Sequence, residues 1–194
     1  TIPQPAAFIG LAFSPDGKTL YASGGNQDVV YRYDWASGRA SLKDSIIIAP
    51  KQPRANGTRY PAGIALSADG RTMYVAENLA DSVAVVDLAS GKVVQTFATE
   101  RYPYDVVADK SGRVYASAWG GNTISTFHTE DGRLQDDGRI PIARHPSAMT
   151  LSADGSRLFV ASGSTDHVAV FDTKRRRIVA RLLDPPPDGP SEGA

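Results

Sequence analysis

Short apolar runs separated by polar turns recur along the chain, and residues 61–97 show this pattern most clearly. Here the runs IALS, TMYVAE, VAVVD and KVVQTF are separated by turn sequences. Asp69-Gly70 and Ser90-Gly91 favour tight reversals, because glycine adopts a positive φ without a steric penalty. KVVQTF alternates polar and apolar residues with a period of two, which is typical of a strand with one exposed face. The unit therefore predicts four antiparallel strands.

The same unit occurs four times. The turns SPDG, SADG, DKSG and SADG each precede a run rich in β-formers, and their glycines are separated by 53, 42 and 43 residues. A repeat in the low forties with four strands is typical of a β-propeller blade. The sequence therefore predicts a single all-β domain over 1–194, a β-propeller of four four-stranded antiparallel blades. The predicted blades are 6–50, 60–99, 102–143 and 145–183, followed by a Pro-rich inter-blade linker at 184–194.

The repeat also resembles a known family. The strings LYAS, MYVAENLADSVAVVDLASGKVVQTF and LFVASGSTDHVAVFDTKRRRIVARL are similar to the YVTN-type β-propeller repeat, with its S-x-D-G turn and V-x-V-x-D third strand. The resemblance covers nearly the whole chain and implies the fold more specifically than any activity, because such propellers have unrelated functions. The chain also looks similar to propellers that precede alkaline-phosphatase-type phosphoesterase domains in secreted bacterial proteins. That context implies a periplasmic or extracellular location, although the phosphoesterase metal ligands are not in this sequence.

Blade number bears on whether the ring closes. Propellers contain roughly four to eight blades, and the YVTN-like family usually has seven. We therefore expect an open arc of a larger, about seven-bladed propeller. An open arc leaves apolar faces on its terminal blades uncovered, so we also expect self-association through those blades.

Composition excludes several classes of function. The formal net charge is zero, which gives no support to a nucleic-acid partner. Without cysteine there are no disulfides or thiolate metal sites. No apolar run approaches the roughly 18 residues of a membrane span. The three histidines lack metal-ligand spacing, and nucleophile-elbow and phosphate-loop motifs are absent. The sequence therefore predicts no metal, no cofactor and no catalytic residue, and the KRRR run at 174–177 predicts a solvated turn.

A repeated triplet marks the candidate site. Arg59-Tyr60-Pro61, Arg101-Tyr102-Pro103 and Arg144-His145-Pro146 each place proline nine residues before a turn glycine, so they are equivalent. We call their six non-proline residues the collar. In a blade the second-to-third-strand loops and the inter-blade connections share one face, which we call the loop-rich face. Three arginines at its rim would suit carboxylates or phosphates, whereas the alternative is a purely structural role.

Other polar and aromatic residues are expected on the same face. Asp105 is expected to pair with an arginine, and Trp119 lies in a glycine-rich loop as an aromatic contact. The complete set of candidate ligand-binding residues is Arg59, Tyr60, Glu77, Asn78, Arg101, Tyr102, Asp105, Trp119, Arg144 and His145.

Two principal functions remain open at this point. The first is a non-catalytic recognition module that binds a protein, a glycan or an anionic small ligand on the loop-rich face. The second, implied by resemblance, is a propeller lactonase or cycloisomerase that uses Arg101, Arg144, His145 and Glu77. An enzyme would bring an arginine and a histidine or carboxylate within about 3–4 Å of a common point. A surface-layer or adhesion element is a third possibility.

Overall fold

The computed structural model describes residues 2–50 and 58–183 and confirms the predicted all-β architecture. Residues 51–57 and the predicted linker at 184–194 lie outside the described residues. Apart from one 3-10 turn at Gly25–Gln27, the regular elements described are sixteen strands in four four-stranded antiparallel sheets. No helix in these two ranges is long and apolar enough to span a membrane.

Each sheet contains four consecutive strands in chain order, as the repeat predicts. Sheet one contains β1 Leu11–Phe13, β2 Thr19–Ser23, β3 Val29–Ala36 and β4 Arg39–Ile47. Sheet two contains β5 Pro61–Leu66, β6 Thr72–Glu77, β7 Ser82–Asp87 and β8 Lys92–Ala98. Sheet three contains β9 Pro103–Ala108, β10 Arg113–Ala118, β11 Thr123–Glu130 and β12 Arg133–Pro141. Sheet four contains β13 Pro146–Leu151, β14 Arg157–Ser162, β15 His167–Asp172 and β16 Arg177–Leu183.

The sheets stack face to face, and apolar cores lie between successive sheets. Val75 faces the core shared with sheet one and Val83 the core shared with sheet three, and both side chains are fully buried. This explains why the central strands β6 and β7 are buried on both faces, whereas β8 alternates between exposed and half-buried residues. A third core, around Tyr115 and Phe171, joins sheets three and four.

The outer faces of the first and last sheets have no such neighbour among the described residues. Leu11 is 66% exposed on the outer face of sheet one, and Leu182 is 54% exposed on that of sheet four. Monomeric proteins seldom leave contiguous apolar strands uncovered. Both faces are therefore available for packing against further sheets or another chain, and self-association remains a prediction.

The KRRR run lies in an exposed turn, as the sequence predicts, but Arg176 also contacts the neighbouring sheet. Its guanidinium donates to the Asp137 carboxylate at 3.0 Å and to Thr126 Oγ1 at 3.1 Å. Because both partners belong to sheet three, this turn of sheet four ties the two sheets together.

Candidate functional site

The three collar triplets adopt one backbone conformation. Tyr60, Tyr102 and His145 have φ values of 56°, 56° and 57°, and each is followed by the proline that begins the first strand of its sheet. The carbonyls of Tyr60 and Tyr102 accept hydrogen bonds from the amides of Asn78 and Trp119, at 3.1 and 2.9 Å. The repeat therefore holds these positions on the loop-rich face through backbone geometry that costs energy for residues other than glycine.

Sheet two brings Arg59 and Glu77 together. Glu77 is only 1% exposed, and its Oε2 accepts a hydrogen bond from Ser82 Oγ at 2.5 Å. The same oxygen lies 3.5 Å from Arg59 Nη1. Burial raises the pKa of the Glu77 carboxyl, while the Ser82 hydrogen bond and the Arg59 charge partly oppose that rise. An arginine and a carboxylate thus converge here, but in a buried position.

Glu77 should make stability depend on pH in a defined direction. Because its pKa is raised in the folded state, the native protein binds the proton more tightly than the unfolded chain does. We expect the free energy of unfolding of the parent to fall, relative to Glu77→Gln, as pH rises from about 4 to about 7. Urea denaturation across that range measures the difference.

Glu100 provides the control of opposite sign. Burial tends to raise the pKa of its carboxyl, but hydrogen bonds from Thr123 and Asn122 outweigh this and lower it overall. Relative to Glu100→Gln, the parent should therefore gain stability as pH rises from strongly acidic values to the ordinary glutamate pKa of 4.5. Stability changes of the same sign for the two variants would contradict at least one of the two pKa shifts.

The other two collar arginines are differently placed. Arg101 and Arg144 are exposed, and within the described ranges neither guanidinium makes an ion pair or hydrogen bond. Arg101 lies over its neighbour Tyr102, with Cζ 5.5 Å from the ring centroid, in a cation–π contact. Their N–H donors therefore remain available to a ligand.

Trp119 connects these two triplets. Its backbone amide binds the Tyr102 carbonyl, and its indole stacks on His145 with centroids 5.0 Å apart and planes 20° from parallel. The indole is 47% exposed. His145 Nδ1 is hydrogen-bonded to Ser164 Oγ, which lies on another loop. The loop-rich face thus presents a stacked aromatic pair that joins the triplets of Arg101 and Arg144.

Asp105 does not pair with an arginine, which corrects the sequence expectation. Its carboxylate accepts the amides of Val106 at 2.9 Å and Met149 at 2.8 Å. Burial raises the pKa of this carboxyl, and those two backbone bonds partly offset the rise. The register of β13 shifts between Pro146 and Met149, so Asp105 satisfies an amide at this irregularity and links sheets three and four.

Asn78 also has a structural contact. Its side-chain amide donates to the Pro103 carbonyl at 3.0 Å, which joins the loop of sheet two to the first strand of sheet three. Asn78 and Asp105 therefore connect neighbouring sheets, whereas the guanidinium groups of Arg101 and Arg144 make no such contact among the described residues.

Asp28 was missed in the sequence. It is 2% exposed, and its carboxylate accepts the backbone amides of Thr58, Arg59 and Tyr60 at 2.6, 2.8 and 2.9 Å. Asp81 repeats part of this contact by accepting the Tyr102 amide at 2.8 Å. The available signal was an Asp or Asn immediately before every third strand, at 28, 81, 122 and 166.

Two clefts open on the opposite face, beside the turns between first and second strands. They have volumes of about 690 and 590 Å³ and lie between sheets three and four and between sheets two and three. Turn aspartates line both clefts, but Asp109 and Asp154 are already hydrogen-bonded within their own turns. The Ser152 hydroxyl and the Ser156 amide lower the pKa of Asp154 to about 2. These aspartates therefore stabilise turns.

No group of three or more His, Cys, Asp or Glu side chains suited to a metal occurs in 2–50 or 58–183.

Two curated proteins are similar to this chain, and one of them is a β-propeller. The chain is 31% identical to a seven-bladed β-propeller protein of Mycobacterium tuberculosis over 57% of its own length and 29% of that protein. It is 21% identical to Antigen Lp49 of Leptospira interrogans, over 80% of this chain and 35% of the relative. The matched regions thus span about a third of these curated relatives.

Solved structures give the same fold. Kuenenia stuttgartiensis hydrazine synthase superimposes with a TM-score of 0.78 at 21% identity, covering 95% of this chain and 51% of that one. A candidate 6-phosphogluconolactonase from Bacteroides uniformis gives a TM-score of 0.75 at 19% identity, covering 90% and 54%.

A family model described as the SMP-30/gluconolactonase/LRE-like region matches residues 51–164. Since this match includes more than half of the chain, the protein belongs to the SMP-30/gluconolactonase/LRE-like β-propeller family.

Proposed function

We propose that this part of the propeller is a recognition module that binds an anionic small ligand on its loop-rich face. One observation carries the proposal: Arg101 and Arg144 have exposed guanidinium groups without an acidic partner among the described residues, and Trp119 and His145 stack between their triplets. A guanidinium with free N–H groups binds carboxylate or phosphate in two-bond geometry. An exposed indole adds a flat apolar surface.

A sugar acid or sugar phosphate combines the two features that this face accepts. Its anionic group would bind Arg101 or Arg144, and the less polar face of its carbon skeleton would lie on Trp119. A protein loop or a glycan that carries a carboxylate could bind the same arginines. The lactonase-related names in the family description and among the solved structures favour the small ligand.

Trp119 provides a direct test. The chain has two tryptophans, so a Trp35→Phe background leaves Trp119 as the only indole reporter. We expect gluconate and 6-phosphogluconate to change its fluorescence saturably, and the neutral sugar glucose to act much more weakly. A Trp119 signal that does not respond to either anion, in a protein with the parental circular dichroism spectrum, would contradict the proposal.

A lactone hydrolase is the second candidate, and the Arg59–Glu77 pair favours it. The pair meets the distance expected of an arginine and carboxylate in an active site, and burial raises the pKa of Glu77 towards that of a general acid. Burial to 1% exposure counts against it, because substrate would have to reach Glu77. Hydrolysis of gluconolactone that is lost in Glu77→Gln would favour catalysis over recognition alone.

We also propose that the four sheets are consecutive blades of a larger, YVTN-like ring. The exposed Leu11 and Leu182 on the outer faces of sheets one and four and the seven-bladed relative support this. Because YVTN-like propellers of this kind occur in secreted proteins, we also propose a periplasmic or extracellular location for this protein.

A further inference from the structure

In sheets two and three, a carboxylate lies against the first residue of the third strand, and the same position can be compared in sheet four. In sheet two, Glu77 is the direct cross-strand partner of Ser82, the first residue of the third strand. Its carboxylate accepts the Ser82 hydroxyl and lies beside Arg59 of the collar. The sheet-two version therefore consists of a carboxylate, a partner at the start of the third strand and a collar arginine.

In sheet three a different residue supplies the carboxylate. Ala118 stands where sheet two has Glu77, and Thr123 stands where it has Ser82. The carboxylate comes instead from Glu100, the residue before Arg101, whose Oε2 accepts the Thr123 hydroxyl at 2.6 Å and the Thr123 amide at 3.0 Å. In both sheets, therefore, the first side chain of the third strand meets a carboxylate. That carboxylate lies 3.5 Å from Arg59 in sheet two, whereas in sheet three it belongs to the residue that precedes Arg101 in the chain.

Sheet four has the position without the carboxylate. Ser162 pairs with His167 in the register that Glu77 has with Ser82, and Ala143 stands where sheet three has Glu100. Ser162 is 4% exposed, and its Oγ is buried without a hydrogen-bond partner, as is Nε2 of His167. Arg144 stands where sheet two has Arg59, and its guanidinium has no partner among the described residues.

Buried polar atoms without partners are costly and rare, so their occurrence as a cross-strand pair needs an explanation. The adjacent Asp166 does not supply one, because it is exposed and bonds to neither atom. Electrostatics also favour an incoming anion. In sheet two the charge of Asp28 opposes ionised Glu77, whereas the equivalent residue facing sheet four is the neutral Asn122.

We propose that Ser162, His167 and Arg144 form a subsite for the carboxylate of a small organic acid, which takes the place that Glu77 fills in sheet two. The proposal deepens the recognition function and rests on it, since it names carboxylate as the anion and the third-to-fourth-sheet side of the loop-rich face as its position. The Ser162 hydroxyl donates to one carboxylate oxygen, and Arg144 supplies the countercharge. His167 Nδ1 lies 3.0 Å from the Thr165 carbonyl, which can only accept, so Nδ1 carries a hydrogen. His167 Nε2 therefore donates to the other carboxylate oxygen when the ring is an imidazolium.

Propionate is the probe, and the neutral isostere propionamide is its control. The His167 ring signals are followed by NMR in the full chain at constant ionic strength. We expect a saturable shift of His167 with propionate and none with propionamide. In Ser162→Glu the new side-chain carboxylate occupies the proposed ligand position, as the Glu77 carboxylate does in sheet two. Propionate affinity should therefore fall by about tenfold or more. Ser162→Thr keeps the hydroxyl and should retain binding.

Ser162→Ala is the second variant should Ser162→Glu not fold, and it should weaken propionate several-fold by removing one donor. Parental affinity in a folded Ser162→Glu or Ser162→Ala protein overturns the subsite, and so does a His167 signal that propionate leaves unchanged. The recognition function is read separately from Trp119 fluorescence. If anions change Trp119 fluorescence but not the His167 signals, the result supports anion binding at the collar and contradicts the subsite.

Discussion

Replacing Asp28 by alanine is expected to destabilise the protein by about 4 kcal/mol. The carboxylate accepts three consecutive amides, those of Thr58, Arg59 and Tyr60, together with the Thr58 hydroxyl. It is almost completely buried, so water would not fully replace it after truncation. Hydrogen bonds to a charged acceptor are worth more than neutral ones, and unpaired buried amides add their own cost. Urea denaturation measures the change in free energy of unfolding.

Asp81 provides the matched control for this prediction. It stands at the equivalent position, but among the described residues its carboxylate accepts only the Tyr102 amide, at 2.8 Å. Asp81→Ala should therefore cost about 1.5 kcal/mol, well below the effect at Asp28. Equal effects at the two positions would show that the number of amides bound does not determine the loss. Because Asp28 fixes the backbone of Arg59 and Tyr60, its loss should also disorder the first triplet of the collar.

The double variant Arg101→Ala with Arg144→Ala is expected to weaken binding of an anionic ligand by at least about 100-fold. Each guanidinium would otherwise contribute charge-assisted hydrogen bonds, and both are exposed and make no ion pair or hydrogen bond in the described structure. Since neither guanidinium makes an ion pair or hydrogen bond among the described residues, the free energy of unfolding should change by less than about 1 kcal/mol. Trp119 fluorescence reports the binding and urea denaturation the stability.

Arg71→Ala is the matched control, because Arg71 is 86% exposed on the opposite, turn-bearing face. It changes net charge without touching the collar, so ligand affinity should stay near the parental value. A large loss of stability in the double variant would instead favour a structural role for the collar. If Arg71→Ala lost as much affinity as the double variant, the loss would be explained by the change in net charge and not by contacts in the collar.

Prediction from sequence worked best where structure is local. The four strands of 61–97 and the left-handed glycines at 70 and 91 follow from side-chain alternation and from the conformational freedom of glycine. The equivalence of the triplets could also be predicted, since a repeat reproduces backbone geometry together with spacing. Tyr60 and its counterparts accordingly share one φ.

The roles of individual polar residues could not be predicted in this way. The triplets look alike in sequence, yet Arg59 meets a buried carboxylate while Arg101 and Arg144 meet none in the described residues. Asp105 appeared to be an acid in need of an arginine, but an irregularity in the neighbouring strand supplies amides instead. Ser164 gave no signal because its partner His145 is nineteen residues away on another loop.

The sequence by itself determined the four-stranded repeat, its turns and the face on which the repeated arginines lie, because these depend on residues close together in the chain. Only the tertiary structure decided which carboxylates are buried, which are bound to backbone amides and which arginines remain unpaired. Those outcomes depend on what the adjacent sheet places against each side chain, and sheets pack across separations of about 40 residues.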